Sequence, residues 1–150
     1  MVETPVQTIE REVKKAVKQG LPEYDLPQLY SLLGSYLLLL DTERKFSRSK
    51  KLKAKYRGNY REQGLLYLVT YENPEKVGQK FLEKYGKRIL RAVCRRWKEI
   101  ESQGLDTIGL ASSLASEVFS SLPQKYRIFL KLTVVIVFIL VKRGLRDLCK

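Results

Sequence analysis

A chain of 150 residues with 44% hydrophobic and 30% charged residues is long and apolar enough for one globular domain, or at most two very small ones, around a sizeable core. It carries 29 Lys+Arg against 16 Asp+Glu, a formal charge of +13, and no histidine. The missing histidine excludes Ser-His-Asp and Cys-His triads, HExxH zinc sites and C2H2 fingers, and the charge, nearly constant from about pH 5 to 8, points to an anionic partner.

Helix signals recur along the chain. Thr4-Pro5-Val6-Gln7 supplies an N-cap, a proline at the first helical position and a capping-box glutamine, and predicts a helix to about Gln19 with Gly20 as its stop. Asp25-Leu26-Pro27-Gln28 repeats the signal and opens a second helix through LYSLLGSYLLLLD. Its apolar positions Leu29, Leu32, Leu33, Tyr36, Leu37 and Leu40 follow i, i+3, i+4 spacing. A basic tract covers residues 44–61. Tyr60–Tyr71 fits helix or strand and is read as helix. Asn73-Pro74-Glu75 starts a long helix that runs to about Gln103, with Gly104 as its stop. Asp106 caps a helix containing Leu110, Leu114 and Val118, and Pro123 opens a last helix ending near Lys150. The nine glycines read as helix stops and turns. The expected architecture is an all-α bundle of five or six helices in a single domain, residues 1–150.

Ile128–Val141 (IFLKLTVVIVFILV) is a strongly apolar run of 14 residues interrupted by Lys131. A spanning helix needs about 20 apolar residues, so the run reads as a buried core helix. Its β-branched content leaves a strand as one alternative, and shallow membrane contact is the other. Cys94 and Cys149 show no CxxC spacing and read as two reduced, partly buried thiols of a cytosolic protein. MVETPVQTIEREV lacks the basic and apolar regions of a signal peptide. The expected location is cytoplasmic, with no membrane partner.

Charge is segregated along the chain. Residues 1–43 carry 4 basic and 7 acidic groups, residues 44–75 carry 9 and 3, and residues 76–98 carry 9 and 1. Residues 99–124 carry 0 and 4, and residues 125–150 carry 7 and 1. Such asymmetry favours a directed binding face over general solubilisation. The densest stretch, RKFSRSKKLKAKYRGNYR, holds Arg44, Lys45, Arg48, Lys50, Lys51, Lys53, Lys55, Arg57 and Arg61, with Phe46, Tyr56 and Tyr60 interleaved. Cations for phosphates and flat rings for unpaired bases are what a nucleic-acid strand requires. A solvated basic loop, or one that contacts anionic lipid, has the same composition.

A second signal is phase along the long helix. At about 100° per residue, Lys80, Lys84, Lys87, Arg91, Arg95 and Lys98 fall within an arc of about 80°. Val77, Phe81, Tyr85, Ile89, Ala92, Val93 and Ile100 take the other side. Six cations thus form a ridge about 27 Å long, a length suited to a phosphate backbone. An ordinary solvated face would interleave acids at i,i+4, and only Glu83 does so. Trp97, the single tryptophan, adjoins the apolar stripe and reads as core.

Catalytic signatures are missing from the sequence. It contains no GxxxxGK[ST] or GxGxxG loop and no metal-ligand spacing, and Glu99 and Glu101 point in different directions on a helix. No catalytic residue, metal or cofactor is expected, nor a small-molecule substrate, and an enzyme is not expected.

A short, basic, all-helical chain carrying LYSLLGSYLLLLD, KLKAKYRGNYREQGLLYLV and GQKFLEKYGKRILRAVCRRWKEI resembles the small subunits of multi-subunit CRISPR effector (Cascade-like) complexes. The likeness is architectural and covers about half the chain. It implies a helical bundle lining a nucleic-acid channel in an antiviral defence assembly, with RNA or DNA backbone, other protein subunits and further copies of itself as partners. In some such systems the small subunit is translated from an internal start within a large-subunit reading frame, and a chain that begins directly with a capped helix is compatible with that. On this likeness Lys51, Lys53, Lys55 and Arg57, with the ridge cations, would contact the guide–target duplex or a displaced strand. The expected function is sequence-independent, non-catalytic nucleic-acid binding. The alternatives are a helical adaptor with a basic face for an acidic protein and a peripheral membrane protein.

Overall fold

A computed structural model describes the backbone of residues 5–48 and 73–150, with side chains for residues 6–41 and 73–150. Among the described residues the chain forms seven α-helices and no strand, an all-α bundle as expected. They are α1 (Pro5–Lys18), α2 (Leu26–Arg48), α3 (Pro74–Ser102), α4 (Thr107–Ser121), the single-turn α5 (Gln124–Arg127), α6 (Leu130–Arg143) and the single-turn α7 (Leu145–Leu148). A 3-10 turn, Leu21–Glu23, links α1 to α2. The reading of Tyr60–Tyr71 as helix lies outside the described residues.

Local caps begin α2, α3 and α4 where the sequence places them, and the expected Thr4 cap of α1 lies outside the described residues. The backbone N–H of Asp25 donates to Gln28 Oε1 at 2.9 Å and the N–H of Gln28 donates to Asp25 Oδ1 at 2.8 Å, a reciprocal capping box. Asn73 Oδ1 accepts from the Lys76 N–H and Asp106 Oδ1 from the Gly109 N–H. Gly20 and Gly104 adopt φ of 87° and 60°, the left-handed conformation that ends α1 and α3 at low steric cost.

The centre of the bundle is α6. Leu132 to Leu140 form nine consecutive buried residues, each 3% exposed or less. A helix apolar all round must be covered all round, and α1, α2, α4 and α7 supply the cover. The apolar run is therefore a core helix and neither a strand nor a lipid-facing surface. Its ends depart from that description, since Ile128 is 78% exposed and the helix begins only at Leu130. No helix among the described residues is long and apolar enough to cross a membrane.

Three expectations require correction. The last helix is broken into α5, α6 and α7. Arg127 folds back and donates through Nε to the carbonyl of Leu122 at 2.8 Å and through its terminal nitrogen to that of Ser120 at 2.7 Å, satisfying the end of α4. Gly144, at φ 88°, makes the second break.

Gly34 and Gly78 are neither stops nor turns. A Cβ on Gly34 would overlap the carbonyl of Pro74, and one on Gly78 the carbonyl of Tyr30. The two glycines let α2 and α3 cross backbone against backbone. This contact sets the position of α3, which packs on α2 and α4 and leaves its remaining face outward.

The cysteines are joined. Cys94 on α3 and Cys149 beyond α7 form a disulfide with a Cα–Cα separation of 5.1 Å, so neither is a reduced thiol. The break at Gly144 turns the C-terminal segment back onto α3, where the Arg146–Glu101 ion pair at 2.8 Å also holds it. Persistent disulfides belong to oxidising compartments and to the intracellular proteins of hyperthermophiles. Cysteine usage therefore no longer supports a cytosolic setting.

Two stability measurements follow. Gly78→Ala is expected to lower unfolding free energy by about 1–3 kcal/mol or more through overpacking. Gly86→Ala on the same helix, with nothing within 4 Å of the new Cβ, should raise it by about 0.5–1 kcal/mol. Denaturant titration reads both, and equal effects would contradict the close crossing. Reducing the disulfide, which closes a segment with a sequence separation of 55, should cost about 2–4 kcal/mol, visible as a lower midpoint with reductant.

Candidate nucleic-acid interface

The ridge expected from helical phase is present. Lys80, Lys84, Lys87, Arg91, Arg95 and Lys98 are all exposed on α3, a helix of 29 residues whose opposite side buries Phe81, Leu82, Ile89, Val93 and Ile100. Tyr85 and Ala92 on the apolar side are only half-buried, as is Val77, which by phase falls at the edge of the ridge with Arg95 and not opposite it. Among the described residues, no carboxylate lies within ion-pair distance of the six cations. Their charge is left to solvent or to a ligand.

Two further cations belong to this face. Lys76 and Arg88 are exposed and fall within about 20° of the edges of the arc, so the same phase calculation extended by one position each way would have found them. Arg96 does not belong to it. Its guanidinium lies on the flank toward α4, 2.9 Å from Glu117 and 3.5 Å from Glu99. The hydrogen bond to Glu117, then the charge of Glu99, hold its proton more firmly than usual. Trp97 is half-buried against the core, as expected.

The basic tract is only partly placed. Arg44, Lys45 and Arg48 continue the backbone of α2, whose last residue is Arg48. Lys50, Lys51, Lys53, Lys55, Tyr56, Arg57, Tyr60 and Arg61 lie outside the described residues.

An aromatic cleft, missed by sequence reasoning, adjoins one flank of the ridge. It measures about 410 Å3 and lies between α2, α3 and α5. Phe81, Tyr85 and Tyr126 form its rings, with centroids 4.8 Å apart for Phe81–Tyr85, 5.0 Å for Phe81–Tyr126 and 5.7 Å for Tyr85–Tyr126. Lys84 Nζ stands 5.4 Å from the Tyr85 centroid and Lys125 Nζ 4.9 Å from that of Tyr126. The phase of Tyr85 places it with the core, and Tyr126 comes from a helix 41 positions away in sequence, so periodicity within one helix does not pair them. On the opposite flank a shallow groove is lined by Lys87, Arg91, the disulfide and Lys150.

Two phenols depart from the usual range, Tyr85 in the cleft and Tyr36 outside it. Burial pushes the Tyr85 phenol up. The hydrogen bond from Tyr126 and the positive charges of Lys84 and Lys125 outweigh it, so the group ionises below the usual phenol range. Tyr36 moves the other way, raised first by burial and then by Tyr24 and Glu12. Among the described residues no cluster of three or more His, Cys, Asp or Glu could hold a metal ion.

Comparison with known proteins returns no match: no protein-family profile, no curated protein and no solved structure aligns with the chain. Function is therefore argued from its own residues.

In an alkaline titration followed at 295 nm, Tyr85→Phe should remove an early part of the tyrosinate signal and Tyr36→Phe a late part. The stability from Tyr85 is present above the unfolded phenol pKa and is lost as pH falls through its lowered folded value. Tyr36 has the opposite sign, its stability contribution disappearing as pH rises through its raised value. Identical titration curves for the two variants would contradict the geometry.

Proposed function

We propose that the protein is a non-catalytic, sequence-independent nucleic-acid-binding subunit of a larger ribonucleoprotein assembly, similar in role to the small subunits of CRISPR effector complexes. The observation that carries this reading is the ridge: six exposed cations in line on one face of a helix whose other face is anchored in the bundle. A phosphate backbone offers charges at regular intervals along an extended track. A line of ammonium and guanidinium groups about 27 Å long meets several of them at once. Because such contacts reach phosphate and not base edges, they position a strand without reading its sequence.

The other side chains of α3 fit that division of labour. Arg96 and Glu101 hold α3 to its neighbours, through Glu117 and Arg146 respectively, while the ridge cations stay outward. The basic tract that leaves α2 would extend the track, with Tyr56 and Tyr60 available to stack on bases. A guide–target duplex or a displaced strand is the proposed ligand, with other subunits and further copies of this chain as protein partners. Cytoplasm is the compartment this reading implies. There the Cys94–Cys149 bond would place the protein among the minority of intracellular chains that keep a disulfide. A membrane role has lost its candidate segment, because the apolar run is the centre of the bundle.

The test is the salt dependence of binding to labelled RNA and DNA. Contacts to about six phosphates predict a log–log slope of about −4 for a single strand and about −5 for a duplex. Affinity should change little between about pH 5.5 and 7.5, because no histidine titrates there. A flat salt dependence, or no binding to either polymer at low salt, would overturn the reading.

A further inference from the structure

We infer that Lys150 is a further phosphate-binding residue of the ridge and that the Cys94–Cys149 disulfide controls it. Closed, the bond holds Lys150 beside Lys87 and Arg91; opened, it lets that contact go. The inference rests on the nucleic-acid reading above and deepens it by naming how the same face is regulated.

The bond stands at the border of the basic face. By helical phase Cys94 falls about 20° beyond Lys87, just outside the arc of the six cations. One wall of the shallow groove beside it carries Lys87 and Arg91 of α3, and the other carries Cys149 and Lys150. Lys87 and Arg91 are the third and fourth cations of the row, so Lys150 adds its charge at the middle of the track. No acid lines this groove. Asp147, 3.6 Å from Lys150 Nζ, lines instead the recess that contains Trp97 and Leu110. Both members of that ion pair are exposed, and such pairs contribute little.

The bond, more than the packing of α7, places Lys150. Leu145 is 4% exposed and Arg146 pairs with Glu101, so α7 has anchors of its own. Past it, the N–H of Cys149 donates to the Leu145 carbonyl at 2.9 Å, and the disulfide is the covalent tie from this end to α3. Both cysteines are half-buried and line the open groove, within reach of a small thiol.

Opening the bond takes a dithiol reductant. One of its thiolates attacks Cys149 Sγ, the S–S bond breaks, and Cys94 leaves as a thiolate that takes up a proton. The second thiol then displaces Cys149 from the mixed disulfide. The protein gains two electrons and two protons, and the reductant becomes a disulfide. Arg91 and Arg95, near Cys94 on α3, favour its thiolate and make it the better leaving group.

The test measures binding of a labelled single-stranded 20-mer across a salt series, with the protein oxidised or treated with dithiothreitol, and helicity checked in both states. Losing one phosphate contact predicts a slope shallower by about 0.7 and affinity about fivefold lower near 0.1 M salt. Oxidised Lys150→Gln should show the same loss, and reducing that variant should add no more. Cys94→Ser combined with Cys149→Ser should bind like the reduced wild type, with or without reductant. Lys18→Gln, at the end of α1, should bind like the wild type. Equal binding by oxidised and reduced wild type overturns the inference and leaves the ridge standing. A redox effect undiminished in Lys150→Gln overturns it too, as does an equal loss in Lys18→Gln, which would make the effect one of net charge. Should reduction unfold the bundle, oxidised Lys150→Gln decides alone: wild-type affinity in that variant overturns the inference. Failure of the oxidised wild type to bind at any salt overturns the nucleic-acid reading beneath it.

Discussion

The bundle depends on one demand: a helix whose middle nine residues are all apolar or buried must be hidden on every side. α6 cannot lie at a surface, so α1, α2, α4 and the C-terminal turn are drawn around it. Those helices then have outer faces of their own, and α3 packs against α2 and α4 as an outer element. This second-layer place makes a ridge possible. A helix at the centre would have to bury its cations, at a cost of several kcal/mol for each, whereas an outer helix of 29 residues buries one stripe and keeps its charge in water.

The crossing of α2 with α3 shows how tightly that outer element is held. Two glycines, one on each helix, let carbonyl groups occupy space that a methyl group would fill. The disulfide and the Arg146–Glu101 pair fix the other half of α3 to the C-terminal turn, and Arg96 ties it to α4. A long basic helix in isolation would repel itself and fray. Held at both halves, it presents a stiff row of cations, which lowers the ordering cost of meeting a polymer.

Features governed by local chemistry were readable in the sequence. The caps at Asp25, Asn73 and Asp106, the stops at Gly20 and Gly104, the phase of the ridge and the core nature of the apolar run each depend on residues a few positions apart. What escaped depends on contacts distant in sequence. Gly34 resembles any mid-helix glycine until Pro74 is seen against it. Cys94 and Cys149 are 55 positions apart with no intervening motif. Tyr85 and Tyr126 form one cleft from two helices, and Arg127, which reads as one more surface cation, caps α4 through two carbonyls. The first break within the last helix, after Arg127, accompanies that fold-back, which no propensity scale encodes.

The central claim is that the ridge of α3 contacts a phosphate backbone along its length. Its most direct measurement is the binding of a labelled 20-nucleotide strand, across a salt series, to the wild type and to a variant carrying Lys87→Glu, Arg91→Glu and Arg95→Glu with unchanged helicity. Removing three of six phosphate contacts predicts weaker binding at every salt concentration and a slope reduced from about −4 to about −2. A variant that binds as tightly as the wild type, with the same slope, would contradict the account.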